Sequence, residues 1–434
     1  MADAAPSAAS SRRGVAVVVG VVFLDLLGFG IIVPILPFYV RSFGLSDVFI
    51  GLLAASYSLA QFLAAPTLGR VSDQYGRRPV LMLSVGGAVV AWTVFGLAGE
   101  VASAAGTTAG VVTLFAARIV AGAAGGNIAA AQAYVADVTP VADRASALGL
   151  VGAAFGLGFV FGPAIGGLAA SESAVRAAET VLPAFVPANE FSLPSFAAAA
   201  LSLAAFVAAV VVLEEPDRTR AAADRVTLRA QFRNALADAA LRPLVVSFFL
   251  TSFAFAGVQV MFVPFAADFF GYDATQAALF LTYIGVLGTL NQGVLVGRLV
   301  GRFGSERVVL AGVASLFAAL VLLALSPVLG GAFGVPVGPP WVTGGLVVLL
   351  AFGALASFGN GAVSVGLSTL VSQGASEATQ GSAFGVTQGA GSLGRTVGPP
   401  LAAAAYVVAY WSPFVAGALV LLPVAALLLA RQAS

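Results

Sequence analysis

Twelve apolar stretches, each long enough to cross a bilayer as a helix, follow one another along this chain. They fall at 14–40, 47–68, 79–99, 108–135, 144–170, 193–213, 241–268, 274–298, 306–327, 341–370, 379–408 and 411–430, separated by short runs of Gly, Pro and charge. A span takes about 20 apolar residues as a helix but only about 10 as a barrel strand, and an open strand would leave its backbone polar groups unsatisfied in lipid. The pattern predicts an all-α polytopic membrane protein with twelve transmembrane helices. Composition agrees: 60% of the 434 residues are hydrophobic and 9% are charged, where soluble domains carry about a quarter charged.

The charged alphabet excludes much chemistry. All 20 basic residues are Arg, and there is no His and no Cys. Disulfides, the usual zinc sites, thiol nucleophiles and imidazole relays cannot be built, so a membrane enzyme is disfavoured. A group that exchanges protons inside this membrane has to be an Asp or a Glu. The Arg residues are scattered through loops, which argues against nucleic acid as a partner.

Residues 1–13 are small and polar and end in Arg12 and Arg13. The apolar run that follows passes Asp25 and continues to Val40, too long for a signal-peptide core and without a clear cleavage site, so it reads as a retained first span. With the N-terminus inside, sixteen Arg fall on the cytoplasmic side and only Arg41 and Arg176 outside. That bias predicts a multi-pass protein of the plasma membrane with both termini cytoplasmic.

The expected organisation is a cytoplasmic tail (1–13), a six-helix bundle (14–213), a charge-mixed cytoplasmic linker (214–240), a second six-helix bundle (241–430) and a short tail (431–434). The halves are related. Gly69–Gly76 (GRVSDQYG) recurs as Gly297–Gly304 (GRLVGRFG), Gly162-Pro163 as Gly398-Pro399, and Gly126-Asn127 as Gly359-Asn360. A parallel duplication of six helices is a transporter architecture with its substrate site near the midplane.

Four motifs carry a closer resemblance. Between spans 2 and 3, Gly69, Arg70, Asp73, Gly76, Arg77 and Arg78 spell G-x-x-x-D-x-x-G-R-R. Span 4 has Arg118-Ile-Val-Ala-Gly122, and span 1 has Leu27-Gly28 followed by Pro34 and Pro37. Span 5 has Gly149, Gly158, Gly162, Pro163, Gly166 and Gly167 in the spacing G-x8-G-x3-G-P-x2-G-G. With the span count and duplication, the chain resembles the major facilitator superfamily, specifically its twelve-span drug:proton antiporter branch that includes tetracycline-efflux proteins.

That resemblance implies proton-coupled efflux of amphiphilic small molecules by alternating access, from a monomer in the lipid bilayer, with no bound cofactor and the proton as coupling ion. It also implies gating roles for the 69–78 loop and the span 5 glycines. In the loop, Asp73 can sit by the N-terminal end of a helix from the other half, and Arg77 can pair with Asp137 at the end of span 4. In span 5, the small residues allow backbone-to-backbone packing while Pro163 bends the helix. The second copies lack the Asp (Gly301 replaces it) and the paired glycines, so gating should be asymmetric between the halves.

Asp25 lies inside the first span, where an Asp costs about 3 kcal/mol on insertion scales. It reads either as the proton carrier, tuned by Arg118 of span 4, or as one half of a fixed ion pair with Arg118. Arg395, in the middle of span 11, reads as a cavity charge that meets substrate or a carboxylate, or as a cation satisfied by carbonyls of a bent helix. Gln61, Asn127, Gln132, Gln292, Asn360 and Gln388 are further candidates for substrate contact, Asn127 and Asn360 foremost because the duplication makes them equivalent. A sugar or organic-acid symporter or uniporter of the same fold, and a non-transporting receptor, are the competing readings.

Overall fold

A chain in lipid must satisfy its backbone N–H and C=O groups internally, and the computed structural model does so with helices: among the described residues, 8–216, 228–332, 343–374 and 380–433, there is no strand. In order, the helices are α1 (Ala8–Ile32), α2 (Leu36–Ser42), α3 (Val48–Tyr75), α4 (Arg77–Gly96), α5 (Ala98–Ala105), α6 (Thr107–Ala124), α7 (Ile128–Val138), α8 (Val141–Ala170) and α9 (Glu172–Val181). They continue as α10 (Ser192–Val212), α11 (Leu228–Ala237), α12 (Arg242–Phe270), α13 (Ala274–Leu290), α14 (Val296–Phe303), α15 (Ser305–Ala332), α16 (Gly344–Gly374), α17 (Gln380–Val408) and α18 (Ser412–Ala433).

Local sequence explains where the apolar stretches break. The first divides into α1 and α2 at Pro34, which lacks an N–H and disfavours a helical residue before it. The fourth divides into α6 and α7 at a 3-10 turn over Gly125–Asn127, where two consecutive glycines weaken the helix. The eighth carries a π-helical turn, Asn291–Leu295, between α13 and α14. Eleven helices among the described residues are long and apolar enough to cross a membrane. The 29-residue α17 is as long as these but more polar, because it carries Gln388, Arg395 and a run of Gly, Ser and Thr.

The chain forms two compact units. One comprises Met1–Tyr39, Leu59–Ala222 and Ala274–Thr282, the other Val40–Ser58, Ala223–Asp273 and Tyr283–Ser434. In the first, α1 packs on α8 and α10, and α4 packs on α6 and α10. In the second, α12 packs on α17 and α18, and α15 packs on α16 and α18. Numbered by spans, these are pairings 1–5, 1–6, 3–4 and 3–6 repeated as 7–11, 7–12, 9–10 and 9–12. The duplication seen in short motifs is thus a duplication of packing.

The first unit's core gathers Val18, Val22 and Leu26 of α1 with Leu81 and Val85 of α4, Tyr134 of α7 and Val151 of α8. In the second, Phe265 of α12 meets Phe414 of α18 edge to face at 5.1 Å. Between lipid-solvated helices the hydrophobic effect adds little, so close van der Waals approach is what holds such pairs together.

Candidate functional site

The span 5 motif has its partner in α1. A Cβ placed on Gly158 would lie 2.8 Å from the Leu26 Cβ, and one on Gly162 would lie 2.7 Å from the Gly30 Cα; one on Gly166 would strike the Ile31 carbonyl oxygen. The glycines therefore bring the backbone of α8, which contains Pro163, directly against α1. Gly167 is used differently: a Cβ there would meet Ala278, and Thr275 donates its hydroxyl proton to the Gly167 carbonyl at 3.1 Å. Gly149 has open space around it and takes no part in the seam.

Asp25 and Arg118 converge on the same helix face. Arg118 is buried, 3% exposed, and its guanidinium stands over the Phe29 ring, 5.7 Å from the centroid. A desolvated cation–π contact of this kind contributes about 2 kcal/mol. Phe29 lies one turn from Asp25 on α1 and packs edge to face on Phe159 of α8 at 6.1 Å. Asp25 is half-buried and forms no ion pair among the described residues. The alternative of a fixed Asp25–Arg118 pair is therefore not what the structure contains: the cation is held by an aromatic ring, and the carboxyl group is left without a fixed counter-ion.

The break in span 4 lies in the same unit. Gln61 of α3 donates to the Gly125 carbonyl at 3.0 Å, satisfying an acceptor released by the 3-10 turn. Asn127 is sealed at 1% exposure, and its side-chain oxygen has no hydrogen-bond partner among the described residues. Gln132, on α7, is exposed.

The loop motif builds a charge cluster. Arg77 donates to Asp73 at 2.7 Å, to Asp137 at 3.0 Å and to the Ser72 hydroxyl at 3.2 Å. Asp73 is thus held one turn from Arg77. Arg78 donates to the Val210 carbonyl at 2.8 Å, and Arg70 makes only a long contact, 3.4 Å, to Thr67. Gly76 sits at φ +125°, a conformation that favours glycine, while Gly69 is unconstrained by neighbours.

Sequence reasoning missed the group that completes this cluster. Glu215, assigned to a solvated linker, accepts the backbone N–H groups of Arg77 and Arg78 at 2.7 and 2.8 Å, capping α4 with a carboxylate. Tyr134 anchors the adjoining residue by donating to the Glu214 carbonyl at 3.0 Å. In the second copy of the loop, among the described residues, there is one longer pair, Arg431–Glu306 at 3.5 Å.

The second unit repeats the helix seam with a different solution. A Cβ on Gly394 would lie 2.6 Å from the Phe249 carbonyl oxygen, and one on Gly398 would strike that of Phe253. Where α8 has Gly166, α17 has Ala402, and the small residue has moved to the opposite helix: a Cβ on Gly257 of α12 would lie 2.8 Å from the Ala402 Cβ. Arg395 stands beside this seam, half-buried, donating to Ser392 at 2.9 Å. Gln388 and Gln292 are exposed, and Asn360 is half-buried.

A second missed cluster joins distant parts of the same unit. Arg41, at the end of α2, donates to Asp47 at 2.7 and 2.8 Å and to Asp268 at 2.7 and 2.9 Å. Tyr406 of α17 donates to Asp268 at 2.7 Å. The Asp47 hydrogen bond is the foremost influence on the guanidinium; it and Asp268 outweigh burial and hold Arg41 charged more firmly than usual. Nearby, a Cβ on Gly51 would approach the Pro399 carbonyl oxygen, so α3 begins directly against α17.

Comparison with known proteins agrees with this architecture. The chain is 32% identical to the tetracycline resistance protein, class C, of Escherichia coli over 404 residues, covering 91% of this chain and 90% of that one. It is 27% identical to multidrug resistance protein 1 of Bacillus subtilis, covering 65% and 66%. Its fold resembles the crystal structure of the human organic anion transporter MFSD10 (TETRAN) at 25% identity and a TM-score of 0.61, covering 96% and 99%. The family model described as Major Facilitator Superfamily matches residues 18–399. With repeated six-helix packing, the glycine seam and the loop cluster all in place, this multi-pass membrane chain belongs to the Major Facilitator Superfamily of transporters, and is not an enzyme.

Proposed function

We propose that this chain exports amphiphilic small molecules from the cell in exchange for protons, by alternating access, as a monomer in the plasma membrane with both termini cytoplasmic. The observation that carries the reading is Asp25: a carboxyl group within a span, without a fixed counter-ion among the described residues, on the helix that the α8 glycines clasp. Arg118 is permanently charged and cannot carry the proton; held over Phe29, one turn along α1 from Asp25, it is the cation available to favour the deprotonated carboxylate when the site opens. Asp25 thus takes a proton from outside and releases it inside. Each proton entering supplies about 2.3 kcal/mol per 100 mV, plus the pH gradient.

The Arg bias of the loops supports placing the Asp73–Arg77–Asp137 cluster on the cytoplasmic side, where it restrains opening. Among the polar candidates, Gln132, Gln388, Gln292 and Asn360 retain accessible side chains suited to a ligand, and Arg395 adds a charge. We assign Gln61 and the sealed Asn127 to supporting the helix break instead.

Reconstituted in proteoliposomes with an imposed pH gradient and tested with tetracycline, the Asp25→Asn chain is expected to insert and bind but to lose uphill transport. Undiminished uphill transport by that variant would refute the assignment.

A further inference from the structure

The two repeated seams make residues of the two units equivalent, and the equivalence exposes a charge imbalance. Gly158 meets Leu26 as Gly394 meets Phe249, and Gly162 meets Gly30 as Gly398 meets Phe253. In that register the counterpart of Asp25 is Phe248, and the counterpart of Arg395 is Phe159. The first unit therefore holds one intramembrane cation and one carboxyl group, Arg118 and Asp25. The second holds Arg395 and, at the place equivalent to Asp25, an aromatic ring.

Arg395 has five N–H donors, and among the described residues it spends one on the neutral hydroxyl of Ser392. The guanidinium bends back along α17 over the bare backbone of Gly391, where a Cβ would lie 3.5 Å from its Nη1. Tyr57 of α3 is its titratable electrostatic neighbour. Among the described residues of the second unit, Asp47 and Asp268 pair with Arg41, Glu306 pairs with Arg431, and Asp238 accepts the backbone N–H groups of Ala240 and Leu241. No ion pair is formed by Arg395 among the described residues. Retaining a cation in a span without an internal partner is costly, and such residues mark ligand pathways.

We infer that Arg395 is an anion-binding subsite that receives the acidic head of the transported molecule, so that the cargo class is an amphiphilic organic anion such as an aryl carboxylate. The planar fork of donors matches a carboxylate bidentately. Arg395 lies near the middle of α17, about 20 Å of helix from either end at 1.5 Å per residue. The inference rests on the export reading for its direction but not for the binding itself.

The test uses the full chain in nanodiscs and three probes that share one ring and tether: 1-pyrenebutyrate, its amide and the corresponding amine. Equilibrium binding, corrected for empty nanodiscs, needs no proton gradient. The chain is expected to bind the butyrate about tenfold or more tighter than the amide or amine, an Arg395→Gln variant to lose that preference, and Arg395→Lys to keep part of it. Unchanged melting temperatures for both variants guard against misfolding. No butyrate preference, or a preference that survives Arg395→Gln, overturns the inference. So does complete displacement of the butyrate by chloride but not by gluconate, which would mark an inorganic anion site only. Asp25→Asn is expected to keep the butyrate preference, so a failure of proton coupling leaves this inference standing and is told apart from it.

Discussion

Arg41 and Asp268, 227 positions apart in sequence, are joined by two hydrogen bonds of 2.7 and 2.9 Å while the same guanidinium holds Asp47. If this bond parts, neither charge is abandoned: Arg41 keeps Asp47, and Asp268 keeps the Tyr406 hydroxyl. A partly exposed pair backed in this way contributes about 1 kcal/mol at most, so local opening at this cluster is cheap. The chain has no cysteine, so a single Val40→Cys, fully buried beside this cluster, reports on opening. Adding Arg41→Gln or Asp268→Asn is expected to speed its labelling by a thiol reagent by about fivefold. The double change should give less than the product of the two single effects, because both delete the Arg41–Asp268 bond, which is lost only once. Arg41 stays charged throughout the accessible range, and because the thiolate is the reacting form, labelling rates are compared between variants at one fixed pH.

The span 5 motif divides into positions with opposite expectations. Gly162→Ala and Gly166→Ala drive a methyl group into the backbone of α1, and overpacking of this kind costs about 1–3 kcal/mol. Thermal unfolding in detergent should show both variants less stable, and vesicle assays should show transport sharply reduced. Gly149→Ala, with open space around it, should match the parent chain in both measurements.

At the loop cluster, Glu215→Ala removes a carboxylate cap from the start of α4 and should cost about 1 kcal/mol of stability. Gly76→Ala, at φ +125°, adds backbone strain of about 1–3 kcal/mol and places its methyl group against Glu215. Its melting temperature should therefore fall further than that of the Glu215 variant.

Arg77→Lys offers a narrower test. Arg77 reaches two carboxylates through different nitrogens of one fork, Nη1 to Asp73 and Nε to Asp137. A lysine ammonium preserves charge without that geometry. Transport is expected to fall severalfold while the melting temperature changes by little, measured in parallel on the same vesicle and detergent preparations.

Much of the helical architecture is legible in the sequence because it follows from bilayer thickness and from Gly and Pro punctuation. Span 1 divides at Pro34, span 4 at its paired glycines, and the span 5 glycines form a packing stripe. The partner of that stripe is not legible, since small residues announce close approach without saying to what. Glu215 is hidden for another reason: within a stretch of mixed charge, a helix cap looks like any solvated acid. Arg41 and Asp268 each sit at the end of an apolar stretch, where a charge is ordinary, and only folding brings them together. Asp25 and Arg118 stand out because a charge within a span is expensive, yet the Phe29 ring between their roles carries no such mark among 32 phenylalanines.

The π-helical turn at Asn291–Leu295 lies where the two copies of the repeat differ in length. Asp47 and Asp273, each just ahead of a helix start, lie 226 positions apart, whereas the loop glycines Gly69 and Gly297 lie 228 apart. The second copy is two residues longer than the first between these landmarks, and the π-helical turn lies within that interval, where a widened turn lets a helix take up an extra residue. No single offset superimposes the two halves of the sequence, and a chimera that exchanges them must cross over on the same side of this turn in both copies.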